Sequence, residues 1–297
     1  GGHNLLLYGP PGTGKTLLAS RLPGLLPPAD PAEILVGLAL RDMGSTDWQP
    51  DDYQRPFRAP HHSSSASALV GGGITPRPGE ISLAHGGILF LDELPEFNRS
   101  GLEALREPLE SGKVTISRAR QTVTFPARFQ LVAAMNPCPC GFLGDTQRQC
   151  RCAPDQLQRY RARLSGPLVD RIDLHVPVTR PSPEALLDPG GGNESSAQVR
   201  ERVEAGPRRQ RARQGKSNAA LGAPELLNSS RLEMAGNRLL RSAADRLALS
   251  GRSLHRVLRV ARTIADLEDA GAVGAAHISE ALAFRGLDNE APADPRF

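Results

Sequence analysis

Aromatic residues are scarce in this 297-residue chain: eight Phe, three Tyr and one Trp make up 4% of it. That excludes a surface that grips a nucleic acid chiefly by base stacking, so backbone electrostatics would have to supply most of the affinity for any such partner. Long apolar runs are missing too. Nothing approaches the ~20 consecutive apolar residues that a membrane span requires, and no membrane contact is expected. Only four cysteines occur, all between positions 138 and 152, which excludes a disulfide framework spread along the chain. Neither sign of charge dominates: 36 Lys and Arg face 32 Asp and Glu, a net charge of +4. Such a balance mildly favours a polyanionic partner and decides nothing alone. Internal repeats are absent. Glycine and proline, in contrast, are plentiful at 30 and 26, and their placement carries the first functional signal.

Gly9-Pro-Pro-Gly-Thr-Gly-Lys-Thr16 fits the phosphate-binding pattern G-x-x-x-x-G-K-[ST]. An apolar run at 4–8 precedes it and reads as a buried strand; residues 17–22 follow and read as the first turns of a helix. Strand, glycine-rich loop and helix are the context that the pattern needs. Gly9, Pro10, Pro11, Gly12, Thr13, Gly14, Lys15, Thr16 and Leu17 are the candidate nucleotide-binding residues. The glycines let backbone N–H groups approach phosphates. Lys15 would reach the β- and γ-phosphates of ATP or GTP, and the Thr16 hydroxyl would ligate Mg²⁺.

A second apolar run, 87–91, ends in Asp92 and Glu93. Carboxylates there emerge at the C-terminal tip of a parallel strand, where open α/β sheets bind ligands. Asp92 would hold Mg²⁺ through its water shell, and Glu93 is the candidate general base for an attacking water. A third run, 129–135, ends in Asn136, whose amide could orient that water or touch the γ-phosphate. Asp170 and Arg171 follow before a fourth apolar run. An arginine at this place can stabilise charge on the γ-phosphate, usually of a neighbouring subunit; as an isolated pair, Asp-Arg is more often a surface salt bridge.

The series P-loop, Asp92-Glu93, Asn136 and Asp170-Arg171 resembles an AAA+ ATPase. The wording of Ala84-His-Gly-Gly-Ile-Leu-Phe-Leu-Asp-Glu-Leu-Pro-Glu-Phe97, Ala59-Pro-His-His-Ser-Ser-Ser65 and Met135-Asn-Pro-Cys-Pro-Cys-Gly141 is similar to the magnesium-chelatase-like AAA+ proteins of the YifB/ComM type. The resemblance covers nearly the whole chain. It implies an α/β P-loop core with a parallel sheet flanked by helices, a C-terminal helical lid, and a cytoplasmic homo-oligomeric ring, a hexamer, hydrolysing ATP with Mg²⁺ between subunits. Arg171 would then act in trans. For the ComM-type members it also implies a DNA motor that promotes branch migration during transformation. Such proteins usually carry a Lon-protease-like domain ahead of the motor. This chain starts at the first motor strand and is expected to be the motor portion. By the same resemblance Arg252 falls where the lid's sensor arginine is placed, with Arg256 one turn on as the competing choice.

The expected organisation is a core over 1–180, a linker over 181–196 rich in Pro, Gly and Ser, and a lid of about four helices over 197–297. The helical patterns lie at 199–213, 231–249, 254–267 and 277–287. Three excursions interrupt the core. Residues 57–82, with the glycine triplet 71–73, read as a loop excursion inside the second core helix. Residues 113–125 read as a β-hairpin with a basic tip, where Arg118 and Arg120 are candidates for phosphate contact with DNA; ordinary solvated charges are the alternative. The third, 138–152, carries Cys138, Cys140, Cys150 and Cys152. Two close pairs joined by a short loop can wrap one tetrahedral Zn²⁺, with free thiols or a redox-sensitive pair as the alternative. His61 and His62 read as loop structure, because adjacent side chains diverge and no further ligands follow. The arginines around Tyr160 form a basic segment, and those of 199–213 read as a solvated face.

Three functions compete at this level: a DNA-translocating AAA+ motor, the motor subunit of a chelatase that inserts Mg²⁺ into a porphyrin, and a nucleotide-dependent scaffold without useful turnover. Intact Glu93 and Arg171 weigh against the last.

Overall fold

Short apolar runs far apart in sequence become neighbouring strands of one sheet. In the computed structural model, which describes residues 2–44, 53–118, 121–182 and 194–286, that sheet has five strands. They are β1 (Leu5–Tyr8), β2 (Phe57–Arg58), β5 (Ile88–Leu91), β8 (Gln130–Met135) and β9 (Leu174–Pro177), in the order β2–β5–β8–β1–β9. β1 and β5 both run parallel to β8, with Leu5 opposite Val132 and Ile88 opposite Gln130, and β2 runs parallel to β5. Strands of a parallel sheet are covered on both faces, so they are apolar throughout. Accordingly every residue of β5 is buried, as is β8 from Leu131 to Met135. The helices beside these strands are α1 (Lys15–Arg21), α2 (Pro31–Gly44), α3 (Ala66–Val70), α4 (Glu80–Leu83), α5 (Arg99–Ala104), α6 (Arg106–Ser111), α7 (Pro154–Ala162) and α8 (Gly166–Val169). This is the α/β architecture that the sequence implies.

Two antiparallel hairpins stand apart from the sheet: β3 (Gly71–Gly72) with β4 (Arg77–Pro78), and β6 (Lys113–Arg118) with β7 (Gln121–Pro126). The second is the hairpin expected at 113–125. Its alternation has a structural basis: Val114, Ile116 and Phe125 are buried, while Thr115 and Thr124 are exposed and face each other at 3.3 Å between hydroxyls. The segment 57–82 differs from the expected loop excursion inside a helix. It opens with β2, an edge strand of the main sheet, and a two-residue strand is too short to show a period. The first glycine of the triplet has a steric role. A Cβ on Gly71 would lie 2.3 Å from the Arg77 carbonyl oxygen, so the β3–β4 base closes only because side chains are missing there.

The chain divides into two compact units, one of Leu5–Arg171 with Pro177–Gly192, the other of Gly1–Asn4, Ile172–Val176 and Asn193–Phe297. The second unit contains α9 (Ser196–Gln214), α10 (Ala223–Ser230), α11 (Met234–Arg246), α12 (Gly251–Leu267) and α13 (Ala275–Ala283). α12 is its centre, burying Val257, Leu258, Val260, Ala261, Ile264 and Ala265 against Leu226, Leu240 and Ile278. The eight-residue α10 escapes a periodicity reading because it is short. Most of the expected linker, 183–193, and Leu287 at the end of the last expected helix lie outside the described residues.

A buried polar cluster crosses the helical unit. Asp266 accepts hydrogen bonds from Arg213 at 2.5 and 3.0 Å and from Asn218 at 2.7 Å, and pairs with Arg262 at 2.9 Å. Arg262 and Asp266 are each only 1% exposed. Burial alone would push the Asp266 carboxyl up, but these donors outweigh it and hold the group below the ordinary carboxylate range.

Candidate nucleotide site and cysteine cluster

The loop between β1 and α1 is shaped by its glycines. A Cβ on Gly9 would stand 2.1 Å from the Val178 carbonyl oxygen, so no side chain fits there. Gly14 caps α1 at φ 86°, a left-handed conformation that favours glycine. Lys15 then folds back into the loop. Its buried Nζ donates to the carbonyls of Gly9 and Pro10, both at 2.8 Å, and to Asn136 Oδ1 at 3.2 Å. Burial lowers the pKa of Lys15, and the charge of Asp92 works against that shift. Thr13 Oγ1 donates to Pro10 O at 3.1 Å, which ties the middle of the loop to its start. Thr16 Oγ1 donates to Asp92 Oδ2 at 2.7 Å. Leu17, next along α1, is exposed.

Residues from positions 15 to 136 thus converge at the C-terminal ends of β1, β5 and β8. Asp92 and Glu93 follow β5 directly, and the Glu93 N–H donates to Asp92 Oδ1 at 2.9 Å. Glu93 has φ 52°, rare for a residue with a side chain, and its carboxylate lies 3.1 Å from His62 Nδ1. A cavity of about 310 Å³ opens here, lined by Thr16, Asp92, Glu93, His61, His62 and Phe57. A second of about 540 Å³ is lined by Glu93, Asn136, Cys138, Tyr160 and Arg163 among others, and in it Arg163 makes a two-pronged pair with Glu96 at 2.7 and 2.8 Å. Tyr160 OH donates to the Asn136 carbonyl at 3.1 Å. In the sequence His62 reads as loop structure and Tyr160 as part of a basic segment. Only their meeting with Glu93 and Asn136 in space connects them to the site.

The arginines take other places. Arg171, 7% exposed, donates to Glu110 of α6 and to the Pro167 carbonyl. Arg252 is the exposed second residue of α12, just after the Ser250 cap, and Arg256 is half-buried one turn on. Arg118 is the last residue of β6, whereas Arg120 lies outside the described residues.

The four cysteines do come together. Their sulfur atoms all lie within 4.8 Å of one another, with Cys138–Cys140 at 3.4 Å, Cys138–Cys150 at 3.7 Å and Cys140–Cys150 at 3.6 Å. Sulfurs about 2.3 Å from a tetrahedral zinc would be about 3.8 Å apart, so the donor set and its spacing fit one such ion. Backbone N–H groups of Arg151 and Phe142 hold the Cys140 thiol down to about 6, while burial pushes Cys152 up to about 12. The insert is fastened beyond the thiols. Asp145 pairs with Arg180 at 3.2 Å, and the Phe142 ring lies under the guanidinium groups of Arg148 and Arg180.

Comparison with known proteins adds the following. A family model described as magnesium chelatase, subunit ChlI, matches residues 1–186, and one described as magnesium chelatase, subunit ChlI C-terminal, matches residues 193–285. The protein YifB of Salmonella typhimurium is 51% identical over 293 residues, which cover 97% of this chain and 57% of YifB. The competence protein ComM of Haemophilus influenzae is 50% identical over 292 residues, covering 97% of this chain and 56% of ComM. An uncharacterized protein of Mycobacterium tuberculosis is 46% identical over 292 residues, covering 96% and 57%. The chain therefore spans somewhat more than half the length of these relatives.

Proposed function

The chain belongs to the magnesium chelatase ChlI family, and from that premise we propose that it is an ATP-hydrolysing AAA+ motor of the YifB/ComM type that works on DNA. The observation that carries the ATPase reading is the convergence of Lys15, Thr16, Asp92, Glu93 and Asn136 at adjoining strand ends. Thr16 and Asp92 would hold Mg²⁺, which when bound neutralises phosphate charge. Lys15 would exchange its carbonyl partners for the β- and γ-phosphates. Glu93 would take the proton of the attacking water, and Asn136, held by Lys15 and Tyr160, would position that water or the γ-phosphate. The core would span 1–180 and the lid 197–297, with Arg252 or Arg256 as the lid's sensor arginine. Arg171 would serve a neighbouring subunit of a homohexameric ring, leaving Glu110 to do so. Zinc would be the ion of the cysteine cluster.

The DNA reading is supported by the β6–β7 hairpin ending at Arg118, by the +4 net charge, and by 50% identity to a relative named a competence protein. A cytoplasmic place suits that work. The family model's own description favours a second reading, the ATPase subunit of a complex that inserts Mg²⁺ into a porphyrin.

Steady-state ATPase activity separates the two, measured with and without single-stranded and branched DNA at two salt concentrations, with Glu93→Gln as the blank. Stimulation that falls with salt and disappears when Arg118 and Arg120 are both changed to Ala is the expected result. Robust activity indifferent to every DNA, in chains shown to form rings, would move the assignment to the chelatase type.

A further inference from the structure

The cysteine insert rests on the phosphate-binding loop itself. A Cβ on Gly141 would come within 2.8 Å of Pro11 Cδ and 3.3 Å of its Cγ, and Gly141 itself is at φ 84°. Gly141 follows Cys140 directly, and its N–H donates to the Cys138 carbonyl at 3.0 Å. On the other side Cys138 comes two residues after Asn136, the residue that receives the Lys15 ammonium and whose carbonyl is held by Tyr160. Two points of the nucleotide loop, Pro11 and Lys15, therefore lean on chain that leaves the cluster within three residues of a sulfur atom. Between β8 and α7 the chain forms no helix or strand. Four side chains packed sulfur to sulfur gain little from one another, and a cation is what makes that arrangement favourable.

We propose that the four cysteines form a metal-dependent brace: one thiophilic divalent ion, of the zinc class, fixes Gly141 against Pro11 and Asn136 against Lys15, and thereby sets the affinity of the loop for nucleotide. Binding the ion displaces the thiol protons to solvent, so uptake releases acid. The brace rests on the nucleotide-site reading of Lys15 and its neighbours, and goes beyond it by making the metal a determinant of nucleotide binding and not only of folding.

The test is a binding titration of the 297-residue chain with a fluorescent, non-hydrolysable ATP analogue at constant excess Mg²⁺, read by anisotropy. Four samples are compared: the zinc-loaded chain with metal content measured, the chain after a zinc-selective chelator, the same chain after zinc is returned, and Gly141→Ala. Expected are at least tenfold weaker binding without zinc, about 1.4 kcal/mol, recovery on its return, and weakened binding by Gly141→Ala with one zinc still retained. If removing zinc unfolds the chain, Gly141→Ala decides alone, since it leaves all four thiols in place. Equal affinity in all samples, or no zinc uptake, overturns the brace while leaving the nucleotide site standing. A zinc-loaded chain that binds no nucleotide overturns both.

Discussion

Asp266 shows what a single buried charge commits the helical unit to. Its carboxylate is surrounded by Arg213, Asn218 and Arg262, and removing it takes the acidic partner from two guanidinium groups, of which Arg262 is 1% exposed. Breaking a buried pair from one side costs roughly 3–5 kcal/mol, so Asp266→Ala is expected to lower the melting temperature steeply. The pH dependence follows from its depressed pKa. The stabilisation is complete above the unfolded value, about 3.9, and drains away as pH falls through the lower folded value. Melting curves taken from pH 7 to pH 3 should show wild type losing stability at the acid end, with Asp266→Asn starting lower and falling less. Legibility at this scale divides by distance along the chain. The glycine-rich turn at 9–16 was legible because its pattern is built from consecutive residues. The His62–Glu93 and Tyr160–Asn136 contacts were not, since each joins segments 31 and 24 positions apart whose meeting depends on the fold.

Among the elements, the β6–β7 hairpin was legible because its period of two is a local property. One face buries Val114, Ile116 and Phe125, and the other is lined with threonines. Phe125→Ala should cost about 3–5 kcal/mol and, by loosening the hairpin, should remove DNA stimulation of the ATPase while basal hydrolysis persists. Denaturant titration beside ATPase assays checks both halves. β2 was illegible for the opposite reason. Two residues cannot display a period, and Phe57–Arg58 is a strand only because Ile88 and Leu89 are there to pair with it. The β3–β4 hairpin was hidden by its own glycines, which in sequence look like slack and in the fold are a close backbone contact.

Over the whole molecule, family and α/β class were visible from the order of a few motifs, whereas the division of the chain was not. The helical unit claims Gly1–Asn4 and Ile172–Val176 as well as the C-terminal residues, and no compositional signal marks those nine residues out. Assembly is where Arg171 becomes informative. In a single chain it is buried against Glu110, so service to a neighbour would require that pair to open. On the proposed ring reading, specific ATPase activity should rise with protein concentration. Arg171→Ala should still assemble, by light scattering, yet lose at least a hundredfold in turnover. Activity independent of concentration, or unchanged in the variant, would remove the trans role.

The sheet order has a consequence for how the chain comes to its native state. β1 pairs with β8, Leu5 opposite Val132, so the strand before the glycine-rich loop lacks this partner until roughly 130 residues more have been made. At ~5–20 residues per second that is an interval on the order of ten seconds. Through it an apolar strand and a glycine-rich loop stand unpaired at the ribosome, the kind of segment that chaperones shield and that aggregates without them.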